Sequence, residues 1–206
     1  MSAEPTTTAA RTAADLWDEA LLPDQYVARM TQNQEVFTKR IAETQLTDDD
    51  RQIFSSKPLR LLLLTEDFCG DSAQFLPPLV RVSEQIPTVE VRFLLRDAYQ
   101  DVAAAYVRQD GYQAIPVVIA LDEDGHELGH LVERPQRVYD ALASETRRYV
   151  LDHPELEGGN RTYQNMPPET RQALLENSLV VREKHQQEWA RWMLEDVAAI
   201  VVGDEA

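Results

Sequence analysis

The chain has 206 residues, of which 36 are Asp or Glu and 20 are Lys or Arg, giving a formal charge of -16 and a sequence pI near 4.6. So large an acidic excess repels phosphate backbones and anionic bilayers, which argues against nucleic-acid and membrane partners. A single cysteine, Cys69, excludes an internal disulfide and a zinc site built on several thiolates, and 43% apolar residues without a bilayer-spanning run read as one soluble core with an appendage, expected in the cytoplasm.

Residues 1–14, MSAEPTTTAARTAA, read as a floppy tail without the charged start and apolar centre of a signal peptide. Residues 15–56 read as an N-terminal helical extension. One helix is predicted over 15–22 and a second over 24–45, where Tyr26, Met30, Phe37 and Ile41 recur at spacings of four, seven and four. Asp24 after Pro23 caps the second, and Thr47 with Asp50 three residues on starts a short helix ending near Phe54. Ser55-Ser56-Lys57-Pro58 then breaks the chain.

From there the pattern changes. Residues 59–64 are an apolar run interrupted only by Arg60, as in a strand buried on both faces. A helix follows over 70–86, and Pro77 and Pro78 inside it remove backbone donors and should bend it. Residues 89–95 form a second strand, 99–108 a helix, 116–121 a third strand, Asp122-Glu123-Asp124-Gly125 a hairpin turn, 127–132 a fourth strand and 135–150 a helix. The core at 57–150 is therefore α/β, a four-stranded mixed sheet flanked by helices, with additional N- and C-terminal helices packed on it. Residues 152–168 are turn-rich. Residues 169–202 read as one long helix with Leu175, Leu179, Trp189, Met193, Val197 and Ile200 at helical spacing, a stripe that either covers the sheet or makes a homodimer.

Chemistry concentrates at Glu66-Asp67-Phe68-Cys69-Gly70-Asp71-Ser72, where Cys69 ends a strand-to-helix turn. Free amides at a helix start favour a thiolate, whereas Glu66, Asp67 and Asp71 disfavour it, so two effects of opposite sign meet there. Other groupings are weaker. His126 and His130 on a strand stand roughly 13 Å apart, too far to share an ion. Asp48-Asp49-Asp50 lacks the glycine turn and closing glutamate of a calcium loop and reads as a helix start, while Trp189 and Trp192 read as packing anchors. No metal or cofactor is expected.

These residues together resemble the thioredoxin-like superfamily: Cys69-Gly70-Asp71-Ser72 stands where its members carry Cys-x-x-Cys, Pro77 lies eight residues on, and Ile115-Pro116 enters the third strand. The Thr65 to Asp71 string, Arg96-Asp97 and Arg134-Pro135 look most like a bacterial branch with a monothiol motif and extra terminal helices. The resemblance implies a cis peptide bond at Pro116 beside Cys69, a catalytic Cys69 with Ser72 donating a hydrogen bond to its thiolate, and a substrate groove at Phe68, Gly70, Ile115 and Pro116. It also marks departures. Ser72 replaces the resolving cysteine, so dithiol reduction is excluded; Phe68 replaces the usual tryptophan, and Leu63 the usual buried acid. What remains is monothiol thiol-disulfide exchange with a protein or a low-molecular-weight thiol such as glutathione. A non-catalytic interaction module using the same groove is the alternative. A peroxide-reducing or glutathione-transfer role would need an arginine, such as Arg96 or Arg134, brought near Cys69 by folding.

Overall fold

A computed structural model of the chain describes residues 11–203; residues 1–10, most of the expected tail, and residues 204–206 lie outside the described residues. The end of that tail is packed, not floppy: Arg11 pairs with Asp101 at 2.8 Å and Ala13 is buried. A 3-10 helix, Ala14–Glu19, buries Leu16 and Trp17. The helix expected over 24–45 is two, α1 (Pro23–Arg29) and α2 (Gln34–Glu43). Asn33 makes the break. Its φ of +57° is left-handed, a region that asparagine tolerates, and its Nδ2 donates to the Asp67 carbonyl oxygen at 2.7 Å. The apolar period survives the break because both helices share one aromatic cluster, with the Tyr26 ring stacked on Phe93 at 4.2 Å and edge-on to Phe37 at 5.7 Å. Helix α3 (Asp48–Phe54) starts on the expected capping box: the Asp50 amide donates to Thr47 Oγ1 and the Thr47 amide to the Asp50 carboxylate, at 2.7 Å.

Strand β1 (Leu59–Thr65) is the apolar run, and it is central. Two helices follow in place of one bent helix, α4 (Gly70–Phe75) and α5 (Pro77–Gln85). Leu76 between them keeps right-handed helical angles, donates to the Ser72 carbonyl and accepts from Leu79, so Pro77 divides the helix without displacing it. Strand β2 (Val89–Leu95) comes next; Leu21 pairs with the Phe93 backbone on its outer edge through two bonds of 2.8 and 2.9 Å. The helix expected over 99–108 shrinks to a 3-10 turn, Arg96–Ala98, and the four-residue α6 (Gln100–Ala103), after which the chain loops to Pro116. Strands β3 (Val117–Leu121) and β4 (Glu127–Val132) form the hairpin, with Gly125 at a φ of +86° in its turn. Helix α7 (Gln136–Asp152) follows. The long terminal helix is again two, α8 (Pro168–Lys184) and α9 (Gln186–Val202), separated at His185, whose φ of -102° and ψ of 11° leave the helical region.

The sheet order is β2-β1-β3-β4, with β1 and β2 parallel and the other pairs antiparallel, the mixed four-stranded α/β sheet expected. Alternation along the strands divides the core in two. Leu61, Leu63, Val91, Phe93, Val118 and Ala120 face α1, α2, α4, α5 and α9, whereas Leu62, Leu64, Leu94, Val117 and Ile119 face Leu16, Trp17, Val102 and Tyr106. Helix α9 lies on the chain's own sheet, burying Trp189, Met193, Val197 and Val201, and Gly129 on β4 lets it approach closely: a Cβ there would sit 3.0 Å from Ile200. Among the described residues, no helix is long and apolar enough to cross a membrane.

Candidate active site at Cys69

The site is built where β1 ends. Thr65 is fully buried, and the chain then turns out through Glu66 and Asp67, each held by amides. The Asp97 amide donates to Glu66 Oε1 at 2.8 Å, and the Thr31 amide and hydroxyl donate to Asp67 Oδ2 at 2.7 and 2.8 Å. Those bonds, the Thr31 amide first, hold the Asp67 carboxyl below the usual carboxylate range. The break between α1 and α2 thus has a purpose at the site, since Thr31 and Asn33 lie in it and both grip Asp67.

Cys69 is the N-cap of α4 and is half-buried. Its Sγ accepts from the Ser72 amide at 3.4 Å and donates to the Ile115 carbonyl oxygen, also at 3.4 Å. The Ile115–Pro116 peptide bond is cis. Folding therefore brings together Cys69, Ser72, Ile115 and Pro116, from positions 46 residues apart in sequence. The two bonds thus hold the sulfur from both sides, the amide from its own helix and the carbonyl from the loop before β3. Of the sequence-predicted residues beside the sulfur, Phe68 is half exposed and Gly70 has open space where a Cβ would stand.

Ser72 departs from expectation. Its hydroxyl reaches neither the sulfur nor backbone; Oγ is buried without a hydrogen-bond partner among the described residues, and only the amide serves Cys69. Gln74, also buried on α4, has its amide oxygen and nitrogen both unpartnered among the described residues, while Arg40 from α2 donates to the Ala73 carbonyl at 3.1 Å.

The site also holds charged residues that the motif itself does not reveal. Asp71 points away from solvent, and both its oxygens are taken by arginines: Arg134, two residues after β4, at 2.6 Å, and Arg182, on α8, at 2.5 Å. Arg134 in turn meets Glu133, which also accepts from Arg108 at 2.9 Å and from the Tyr139 hydroxyl. Glu133 has a left-handed φ of +70°, and its amide donates to the Pro116 carbonyl at 2.7 Å. Burial alone would raise its carboxyl, but Tyr139, Arg134 and Arg108 outweigh that and hold it below the ordinary value. Burial pushes the Tyr139 hydroxyl up to about 12, and its bond to Glu133 acts in the same direction. No short-range signal marks these partners, which lie 63 and 111 residues from Asp71; only the Arg134-Pro135 dipeptide stands out in the sequence. Arg96 pairs with its neighbour Asp97 instead.

The remaining candidates stay apart from the sulfur. His126 lies in the hairpin turn against Asp122, and His130 bonds Glu127. Asp50 is in the capping box and paired with Arg191; Trp189 is fully buried, and Trp192 carries Arg137 over its ring at 5.3 Å. A cleft of about 610 Å³ between α1, α2 and α5, lined by Leu22, Val27, Ile41 and Val80, includes none of the site residues.

Comparison with known proteins agrees with this architecture. A family model described as thioredoxin matches residues 21–147. Over the whole fold the chain is similar to a protein of unknown function from Pseudomonas aeruginosa, with 22% identity and a TM-score of 0.62 over 94% of this chain and 98% of that one. It is similar to an HIV epitope-scaffold with 19% identity and a TM-score of 0.61 over 95% of this chain and 100% of the scaffold. At these identities the likeness concerns the fold alone. No curated protein matches the chain.

Proposed function

The chain belongs to the thioredoxin family, and from that premise we propose that it performs monothiol thiol-disulfide exchange through Cys69. The observation that carries this reading is a half-buried sulfur held by the Ser72 amide at the start of α4 and facing the 115–116 loop. In the reaction the Cys69 thiolate attacks one sulfur of a mixed disulfide between a protein and a small thiol. That S–S bond breaks, a new one forms to Cys69, and the departing thiolate takes a proton from water. With no second cysteine in the chain, a free thiol such as glutathione then attacks the outer sulfur of the Cys69 mixed disulfide; the bond to Cys69 breaks, the two departing thiols leave joined as a disulfide, and Cys69 returns to its reduced thiolate.

Each neighbour has a part in this. The Ser72 amide stabilises the thiolate, and the buried Ser72 hydroxyl does not. Gly70 leaves room beside the sulfur, Phe68 offers an exposed apolar ring to the incoming substrate, and Ile115 with Pro116 forms the backbone edge against which an extended segment docks. As the thiol ionises, the bond to the Ile115 carbonyl is lost and that carbonyl becomes free.

Incubating the reduced protein with oxidised glutathione and measuring its intact mass tests the proposal. We expect one glutathione adduct, reversed by excess reduced glutathione and absent from Cys69→Ser. An unmodified parent protein overturns it in favour of a non-catalytic module that uses the same groove.

A further inference from the structure

The acidic residue inside Cys69-Gly70-Asp71-Ser72 is the oddity of the site, since a carboxylate two residues from a nucleophilic sulfur opposes its ionisation. The fold answers it with charge from two distant elements. Asp71 Oδ2 accepts from Arg134 at 2.6 Å and Oδ1 from Arg182 at 2.5 Å, and all three side chains are largely buried, at 11%, 14% and 19% exposure. In such surroundings ion pairs interact far more strongly than in water. The same arginine ties the site together mechanically. Arg134 also meets Glu133, whose amide holds the Pro116 carbonyl at 2.7 Å, so the chain leaving β4 grips the docking loop with its backbone and α4 with its side chain.

We propose that Arg134 and Arg182 are positioning residues that neutralise Asp71 and hold the start of α4 against the 115–116 loop, thereby setting the reactivity of Cys69. This rests on Cys69 being the nucleophile of the exchange reaction. The other charges packed around the site have partners of their own. Glu66 and Asp67, in the turn before Cys69, are held by amides; Arg40, from α2, meets the Ala73 carbonyl and Glu183 on α8; Arg108, in the loop before β3, meets Glu133 and Asp110. From α9, Gln186 binds Arg40 through its neutral amide. Asp71 with its two arginines is thus the local balance that substitution can tip in either direction.

The two parts of the proposal separate by sign. Replacing both arginines by glutamine leaves Asp71 uncompensated and should slow Cys69 alkylation by iodoacetamide at pH 7 about three- to tenfold, with the pH profile moved to higher pH. Asp71→Asn takes its carboxylate from Arg182 and leaves Arg134 with Glu133 alone, and should accelerate alkylation by a similar factor, with the profile moved to lower pH, although it breaks the same contacts. Combining the three substitutions should return the rate to near that of the parent. Arg134→Lys with Arg182→Lys keeps the charge and should keep the profile. D71N and the lysine pair are the conservative sets, and they carry the test if the glutamine variants do not fold. Equal slowing by D71N and by R134Q/R182Q means a purely structural clamp, and unchanged profiles in those same two variants mean no coupling; either overturns the proposal. Alkylation needs no disulfide substrate, so a parent protein that refuses oxidised glutathione refutes the exchange reaction and leaves the charge coupling to be read independently.

Discussion

Asp50 shows how one carboxylate couples a local signal to a distant element. Its side chain closes the capping box with Thr47 and also receives both Nη atoms of Arg191 from α9, while only 4% of the residue is exposed. Burial alone would raise its pKa; the Arg191 and Thr47 bonds outweigh this and leave it lowered. A depressed folded-state value means that the stabilisation is complete above the unfolded-state pKa, about 3.9, and is lost as pH falls through the folded value. Asp50→Asn should therefore cost about 2 kcal/mol at pH 7, reduced from the fully buried case because Arg191 is partly exposed, and should flatten the acid limb of the stability curve. Urea denaturation at pH 7 and pH 3 checks this; an unchanged midpoint at pH 7 refutes it. Thr47→Ala tests the neighbouring cap alone, with an expected loss of about 1 kcal/mol.

At the scale of elements, periodicity locates apolar faces well and helix ends poorly. The stripe through residues 169–202 is real only in its second half. Trp189, Met193 and Val197 on α9 are fully buried, whereas Leu175 and Leu179 on α8 are 51% and 60% exposed. The two halves face different ways because His185 leaves the helical region. Trp189→Ala should then cost about 3 to 5 kcal/mol, the range for emptying a fully buried aromatic site, and Leu179→Ala less than about 0.5 kcal/mol. Equal losses in thermal or urea melts would mean that α9 does not seal the sheet. The break at Asn33 and the shortening of α6 have the same origin: local apolar spacing continues, but the backbone bonds are redirected to Asp67 in one case and into the loop before β3 in the other.

For the whole molecule, charge dominates. With a net -16 on 206 residues, much of the acidic excess has no arginine or lysine to meet, and self-repulsion opposes the compact state. The lysine-poor, acidic composition suits salt on that ground: raising ionic strength shortens the Debye length from about 10 Å at 0.1 M to about 3 Å at 1 M. The melting temperature should rise as sodium chloride goes from 0.05 to 0.5 M. A fall would mean that the surface ion pairs, such as Arg137 with Glu195 and Asp196, outweigh the repulsion.

What the sequence determined by itself was whatever depends on neighbours along the chain. The doubly buried β1, the hairpin at Gly125, the Thr47 cap and the cysteine at the strand-to-helix turn all follow from spacing and capping chemistry within a few residues. Tertiary structure decided what depends on long-range contact: that Ser72 serves the sulfur through its amide, that α9 covers the sheet, and that Asp71 lies between Arg134 and Arg182. Hydrophobic periodicity says that a face is buried but not against what, and a charge in a sequence carries no mark of its partner, because ion pairs form wherever packing brings the side chains out of water together.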